Sequence, residues 1–258
     1  MSMVGTGERI AKRLSRTGIC SRREAEKMIS QGRIKIGNTL ITSPATLVTD
    51  TDIIQFDGKE IGLPVQSRLW RYNKPRGLIC TNRDPQGRPT IFDALPRDFP
   101  RVILVGRLDI SSEGLLLLTN DGTLSRQLEL PSTGWVRRYR VRVFGTIDLE
   151  SLNALKEGIS VDGIHYGPII ATPFEGDKKN QHTKNSWLSI SLREGKNREV
   201  RRVLEYIGLK VNRLIRISYG PFQLGKLPTG KLQEIPSHVL ADQFGQSLPK
   251  FPKPKSRN

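Results

Sequence analysis

Two short apolar runs, Val102–Val105 and Leu115–Leu118, bracket the loop Gly106–Gly114, and no other stretch restricts the fold as strongly. Four apolar residues in a row without polar alternation suit a strand covered on both faces, so the sequence predicts two buried strands here. Gly106 and Gly114 let the backbone turn sharply, which makes Arg107 and Asp109 project from a rigid sheet edge into solvent or a cleft. A reacting pair and a weak surface ion pair fit this local pattern equally well.

The partner class follows from charge. The 258 residues include 42 Lys and Arg against 25 Asp and Glu, a net charge of +17 spread through both halves, and such a chain attracts polyanions, nucleic acid first among them. Cys20 and Cys80 cannot build a disulfide framework, no CxxC spacing exists, and His165, His182 and His238 are scattered, so no metal and a reducing cytoplasm are expected. MSMVGTGERIAKRL lacks the apolar core of a signal peptide and no run of 18 apolar residues occurs, so neither export nor a membrane span is expected. No internal repeat, strand–GxGxxG–helix unit or P-loop is present, which argues against nucleotide or S-adenosylmethionine chemistry.

Along the chain, Glu8–Ser15 reads as a short helix, and Ser21-Arg-Arg-Glu24 is a capping box opening a second helix that Gly32 ends. Arg33–Ile36 and Thr39–Ile41 form a hairpin across Gly37-Asn38, and Asp57-Gly58 makes another. Arg13, Arg16, Arg22, Arg23, Lys27, Arg33 and Lys35 lie on these elements and compose a basic outer surface suited to phosphates. Residues 1–62 are read as this unit, 63–67 as a linker, 68–240 as the main domain, and 241–258 as a basic Pro/Lys-rich tail with little to bury.

In the main domain, Leu69–Tyr72 and Leu78–Thr81 are strand-like and joined by Asn73-Lys-Pro-Arg-Gly77; Asn82–Pro89, with Arg83 and Arg88, is a loop that either grips RNA or is inert. Thr123–Leu130 reads as a helix, and Arg138–Val143 alternates strictly, turning Tyr139, Val141 and Val143 inward. Asp148 caps a helix with Leu149, Leu152 and Leu155 inward, Val161–Ile164 is a hairpin, and Phe174–Asn185 is a long exposed loop. Trp187–Leu192 is a strand. A helix opening at Glu194 turns Val200, Val203, Leu204 and Ile207 to the sheet and Arg198, Arg201 and Arg202 to the remaining surface, before the strand Val211–Ser218. The spacing predicts a largely antiparallel, mixed sheet flanked by helices, an α+β fold.

GRLDxxSxGLLLLTNDG, as it stands at residues 106–122, resembles the signature of the pseudouridine synthases that modify ribosomal RNA, with Ser112 where Thr is usual. SRREAEKMISQGRIKIGN, at 21–38, resembles the alpha-L RNA-binding domain of ribosomal proteins and of the branch that carries such a domain ahead of the catalytic one. Asn197-Arg-Glu-Val-Arg-Arg202 and Arg213-Leu-Ile-Arg-Ile-Ser-Tyr-Gly220 look most like the B-type enzymes that act on the large ribosomal RNA, whereas Arg137-Arg138 departs from relatives that carry an acidic residue there.

The resemblance implies isomerisation of a uridine in ribosomal RNA, with large-subunit (23S) RNA near the peptidyl transferase centre, free or in an assembly intermediate, as substrate and no cofactor. Asp109 becomes the catalytic carboxylate, Arg201 the cation pairing with it, Tyr139 the ring under the base, Arg107 the side chain entering the RNA, and Arg198 a further RNA contact. Leu214 is either a buttress of the base pocket or ordinary core, and the Lys74-Pro75 turn is structural. A noncatalytic assembly factor and a small-subunit (16S) synthase are the alternatives; the former has no need of Arg107, Asp109, Tyr139 and Arg201 together.

Overall fold

The computed structural model describes residues 7–174 and 185–245. Its N-terminal unit contains β1 (Glu8–Arg9), α1 (Ile10–Arg16), α2 (Arg22–Ser30), β2 (Ile34–Ile36), β3 (Thr39–Leu40), β4 (Leu47–Val48), β5 (Ile54–Phe56) and β6 (Lys59–Glu60). The capping box forms: the Ser21 hydroxyl accepts from Glu24 N at 3.1 Å and Ser21 N donates to the Glu24 carboxylate at 2.5 Å. Ile10, Leu14, Ala25, Ile29, Ile34 and Val48 close a core of their own under a sheet of order β3-β2-β5-β6. Glu8 and Arg9 are extended and pair with Leu47–Val48, so the first helix starts at Ile10 and not at Glu8.

The main domain is built on nine strands: β7 (Leu69–Lys74), β8 (Ile103–Val105), β9 (Ser112–Thr119), β10 (Arg137–Phe144), β13 (Ile169–Pro173), β14 (Asn185–Leu192), β15 (Lys210–Tyr219), β16 (Phe222–Gln223) and β17 (Leu232–Glu234). A small hairpin of β11 (Ile159–Val161) and β12 (Ile164–Tyr166) stands apart. The order is β13-β14-β10-β15-β9-β7-β17, with β8 on β9 and β16 on β15. Every pairing is antiparallel except β15 with β9.

Leu115–Leu118 are fully buried because alternate residues serve opposite faces. Leu116 and Leu118 join Trp70, Tyr139, Val141 and Ile190 under α4 (Leu149–Ala154) and α5 (Glu199–Tyr206). Leu115 and Leu117 join Leu69, Tyr219 and Phe222 under α3 (Gly122–Glu129) and α6 (Ser237–Phe244). Each such leucine contributes about 1.5–3 kcal/mol relative to an exposed one.

Four further expectations are corrected. Leu78–Thr81 is no strand: only a bridge from Ile79 to Thr90 forms, because no neighbouring strand lies alongside to accept a ladder. Leu149 is exposed, at the first turn of α4, while Leu152 and Leu155 are buried. The helix expected from Glu194 begins at Glu199. The tail cannot begin at 241, since α6 runs through to Phe244, which packs on Trp135. Residues 246–258, and 175–184 of the loop expected at Phe174–Asn185, lie outside the described residues.

Candidate active site

The loop between β8 and β9 is fixed through its backbone. Lys74, with no exposed surface, sends Nζ to the carbonyl oxygens of Pro75, Asp109 and Ser112 at 3.0, 3.3 and 2.9 Å. Gly77 N donates to Ile110 O at 2.8 Å, and Leu108 N donates to the Cys80 sulfur at 3.4 Å. Arg201 supplies a further anchor, Nη2 to Ser111 O at 3.1 Å, and its Nη1 holds Val211 O at 3.2 Å. Four consecutive carbonyls, Asp109 through Ser112, are thus held from two directions, by the Lys74–Gly77 turn and by α5. Asp109 therefore presents its carboxylate from a backbone that is already organised. Burial pushes the Lys74 ammonium below the usual lysine range, and the charge of Asp109 pulls it partly back.

That carboxylate opens into a cavity of about 470 Å³ shared with Arg107, Tyr139, Glu199, Leu214 and Arg216. The volume is within the range of a small-molecule pocket, enough for one extruded nucleobase. Tyr139 and Leu214 are nearly buried and sit on adjacent strands. A second depression of about 840 Å³, lined by Asn82, Arg88, Phe92 and Lys196, shares Arg107 and Asp109 with the first, so a continuous groove passes the carboxylate.

The cation beside Asp109 differs from the expected one. Arg198 Nη1 lies 3.9 Å from Asp109 Oδ2, across a partly solvated gap. Arg201 is buried instead of lying on the outer face of α5, and its guanidinium is committed to backbone carbonyls, with Nε left unpartnered. It still feels Asp109: burial and the charge of Arg198 lower its pKa, and the carboxylate raises it. Arg198 occupies the left-handed region (φ 51°, ψ 30°) at the N-cap of α5, an uncommon backbone for arginine, and its exposed side chain lines the rim of the cavity.

Among the residues expected to meet RNA, Arg22, Arg23, Lys27, Lys35 and Arg83 are exposed and carry no ion pair within the described residues. Arg13 is not part of that surface: it is 5% exposed, bonded to Glu8 at 2.7 Å and Asp50 at 2.6 Å. Arg16 is held by both carboxylate oxygens of Glu8, Arg33 is bidentate to Asp57, and Arg88 is bidentate to Asp84. A lysine or arginine looks the same in sequence whether or not a distant carboxylate has claimed it.

Sequence reasoning passes over two residues of the cavity and undervalues the lysine that anchors its loop. Glu199 is 3% exposed, accepts from Lys196 N at 2.8 Å, and has its other oxygen unpartnered; burial, with Glu194 nearby, pushes its carboxyl up to about 7. Arg216 is equally buried and carries one hydrogen bond, to Leu115 O. Lys74 is legible only as part of a turn. A charged residue at an inward position of a strand, as Arg216 is between Leu214 and Ser218, is the one available signal.

Comparison with known proteins agrees with this architecture. The family described as RNA pseudouridylate synthase matches residues 68–206, and the S4 domain family matches residues 8–54. An uncharacterized RNA pseudouridine synthase of Rickettsia felis is 48% identical over 90% of this chain and 99% of its own length. The ribosomal large subunit pseudouridine synthase B of Yersinia pestis is 40% identical over 89% of this chain and 73% of its own. A crystal structure of a pseudouridylate synthase shares the fold with a TM-score of 0.62 at 24% identity, over 90% of this chain and 97% of that one. Both domain families in order on one chain, together with relatives near half identity along nine-tenths of it, make this protein a member of the RNA pseudouridine synthase family that carries an S4 domain ahead of its catalytic domain.

Proposed function

We propose that the enzyme isomerises a uridine of large-subunit (23S) ribosomal RNA near the peptidyl transferase centre, in the cytoplasm, with Asp109 as its catalytic carboxylate. The observation that carries the chemistry is the convergence of Asp109, Tyr139 and Leu214 on one cavity with Arg107 at its mouth. The large-subunit assignment is supported by relatives bearing that name at 40–42% identity.

The reaction breaks the bond from C1′ to N1, turns the base, and joins C5 to C1′; the C5 proton is lost to solvent and N1 gains one. Asp109 serves that exchange in its charged form. Arg198 stands 3.9 Å from that carboxylate, and Arg201 fixes the loop that carries it. Tyr139 offers a face for the extruded base, Leu214 closes the pocket beside it, and Arg107 occupies the gap left in the RNA. The exposed cations Arg22, Arg23, Lys27 and Lys35 hold phosphates and position the RNA without reading it.

The test is release of tritium from a stem-loop transcript labelled at uracil C5, with Asp109→Asn in parallel. Release by the wild type alone, with RNA affinity of the variant within a few fold, is the expected result. Release by Asp109→Asn, or a tenfold loss of its RNA affinity, removes Asp109 from the chemical step. Release from a small-subunit fragment but not from the large-subunit one reassigns the substrate. Tight binding without release from either points to a preassembled particle as the true substrate.

A further inference from the structure

Arg216 is a buried cation without a counterion. Its side chain is 3% exposed, yet among the described residues its guanidinium makes a single hydrogen bond, Nε to Leu115 O at 2.7 Å. Nη2 is buried with no hydrogen-bond partner, no ion pair reaches it, and the ring of Tyr219, 5.3 Å from its Cζ, is the one further group that steadies its charge. Lys74 provides the contrast: as deeply buried, it has three carbonyls around its three N–H groups. A guanidinium carries five donors, and a buried one with a single hydrogen bond and a ring contact is short of acceptors, so this one is set for an acceptor supplied from outside the chain.

Where that acceptor sits follows from the strand register. Arg216 is the cross-strand partner of Tyr139, and Leu214, on the same face two residues earlier, is the partner of Val141. Arg216 and Tyr139 are thus neighbours on one wall of the cavity into which Asp109 opens. A base lying against the Tyr139 ring turns an edge toward β15, the strand from which Arg216 lines the same cavity. Uracil presents two carbonyl oxygens on its edges, O2 and O4. A phosphate is the poorer candidate, since the exposed Arg107 and Arg198 meet it at the rim of the cavity without its being stripped of water against a buried guanidinium.

We propose that Arg216 recognises the uracil itself, donating from its terminal nitrogens to a carbonyl oxygen of the extruded base and holding the charge that base acquires. The inference rests on Tyr139 and Asp109 acting as proposed above. When the C1′–N1 bond breaks, its electron pair stays with the base, spread over N1, O2 and O4. A fixed, buried guanidinium stabilises that charge while the base turns, until C5 bonds to C1′, N1 takes a proton and the C5 proton departs. Contact at O4 would also exclude cytosine, whose amino group there offers a donor to a donor.

The experiment is single-turnover tritium release by the full chain, as wild type, Arg216→Met and Arg216→Lys, on transcripts carrying uridine, 2-thiouridine or 4-thiouridine at the target. Sulfur is a weaker acceptor than oxygen, so replacing the contacted carbonyl slows the wild type about tenfold and leaves Arg216→Met nearly unaffected. Arg216→Met itself loses about 10²- to 10³-fold in rate at saturating RNA, its RNA affinity holding, and Arg216→Lys lies between. Three results overturn the proposal: an unimpaired Arg216→Met, equal sulfur effects in wild type and variant at both positions, or a loss confined to RNA affinity, which would make the partner a phosphate. Should Arg216→Met unfold, the sulfur effects are read between wild type and Arg216→Lys, and the same equality overturns it. Inactivity of Asp109→Asn with flat sulfur effects removes only Arg216; activity of Asp109→Asn removes the carboxylate assignment instead.

Discussion

A lysine with no exposed surface has to be held by dipoles, and the three carbonyls around Lys74 belong to the turn that carries it and to both ends of the Asp109–Ser112 segment. Its work is to position Asp109, which it does not touch through the carboxylate. Lys74→Met keeps the volume and removes the donor, orphaning carbonyls at a cost of about 1–3 kcal/mol and letting the loop drift; a displacement on the scale of an ångström is worth about 10² in rate. Urea unfolding and tritium release check the two effects separately, and a folded variant at wild-type rate would deny the loop any need of this anchor. Glu199 gives a pH signature. Its carboxyl is raised from 4.5 to about 7, so the native state binds a proton more tightly than the unfolded one. Its contribution to stability is therefore largest below pH 4.5 and is lost as pH rises through 7. Glu199→Gln mimics the protonated form, so its thermal midpoint should gain on the wild type between about pH 5 and pH 8. A difference independent of pH would show that Glu199 does not titrate in that window.

At the scale of elements, the site depends on the one parallel contact in the sheet, where Ser112–Gly114 lies against Leu214–Arg216. A Cβ on Gly114 would stand 2.3 Å from the Arg216 carbonyl oxygen, at a φ of +97°, so glycine is required there by a neighbouring backbone that cannot yield. Gly77 has a similar φ of +95° but open space around it. Gly114→Ala should cost roughly 3 kcal/mol or more, and Gly77→Ala about 1–2 kcal/mol from the left-handed backbone alone; equal midpoints in urea would mean the strands can separate without loss. The same strands show what a sequence makes legible. The capping box at Ser21, the alternation from Arg138 to Val143 and the doubly buried Leu115–Leu118 are local patterns, each recognisable within a single element. Leu78–Thr81 misleads because strand character needs a neighbour to pair with, and the chain provides only Thr90. Arg198 and Arg201 part company because α5 starts at Glu199: Val200, Val203 and Leu204 keep the sheet-facing positions expected of them and Arg201 is buried with them, while Arg198 stands outside the helix at its N-cap. Arg216 escapes notice because its meaning lies in the absence of a partner, and partners come from distant parts of the chain.

For the whole molecule, the net charge of +17 overstates what is available to RNA, because the carboxylates are not distributed evenly among the cations. In the N-terminal unit, Glu8, Asp50 and Asp57 neutralise Arg13, Arg16 and Arg33 and so brace the fold. Arg22, Arg23, Lys27 and Lys35 stay exposed on α2 and β2, and under the proposed function they are the cations with which the S4 domain grips phosphates. Each cation that neutralises a phosphate releases counterions, and for single-stranded or looped RNA contributes about 0.7 to the slope of log K against log salt. Replacing all four with Gln should therefore weaken binding at low salt and reduce that slope by about 3, with little change in turnover at saturating RNA. Replacing Arg33 and Asp57 together, a pair already satisfied within the chain, should leave the slope as it was. Fluorescence anisotropy over a range of salt concentrations measures both; an unchanged slope in the fourfold variant would mean that α2 faces away from the RNA and that the groove beside Asp109 carries the phosphate contacts alone.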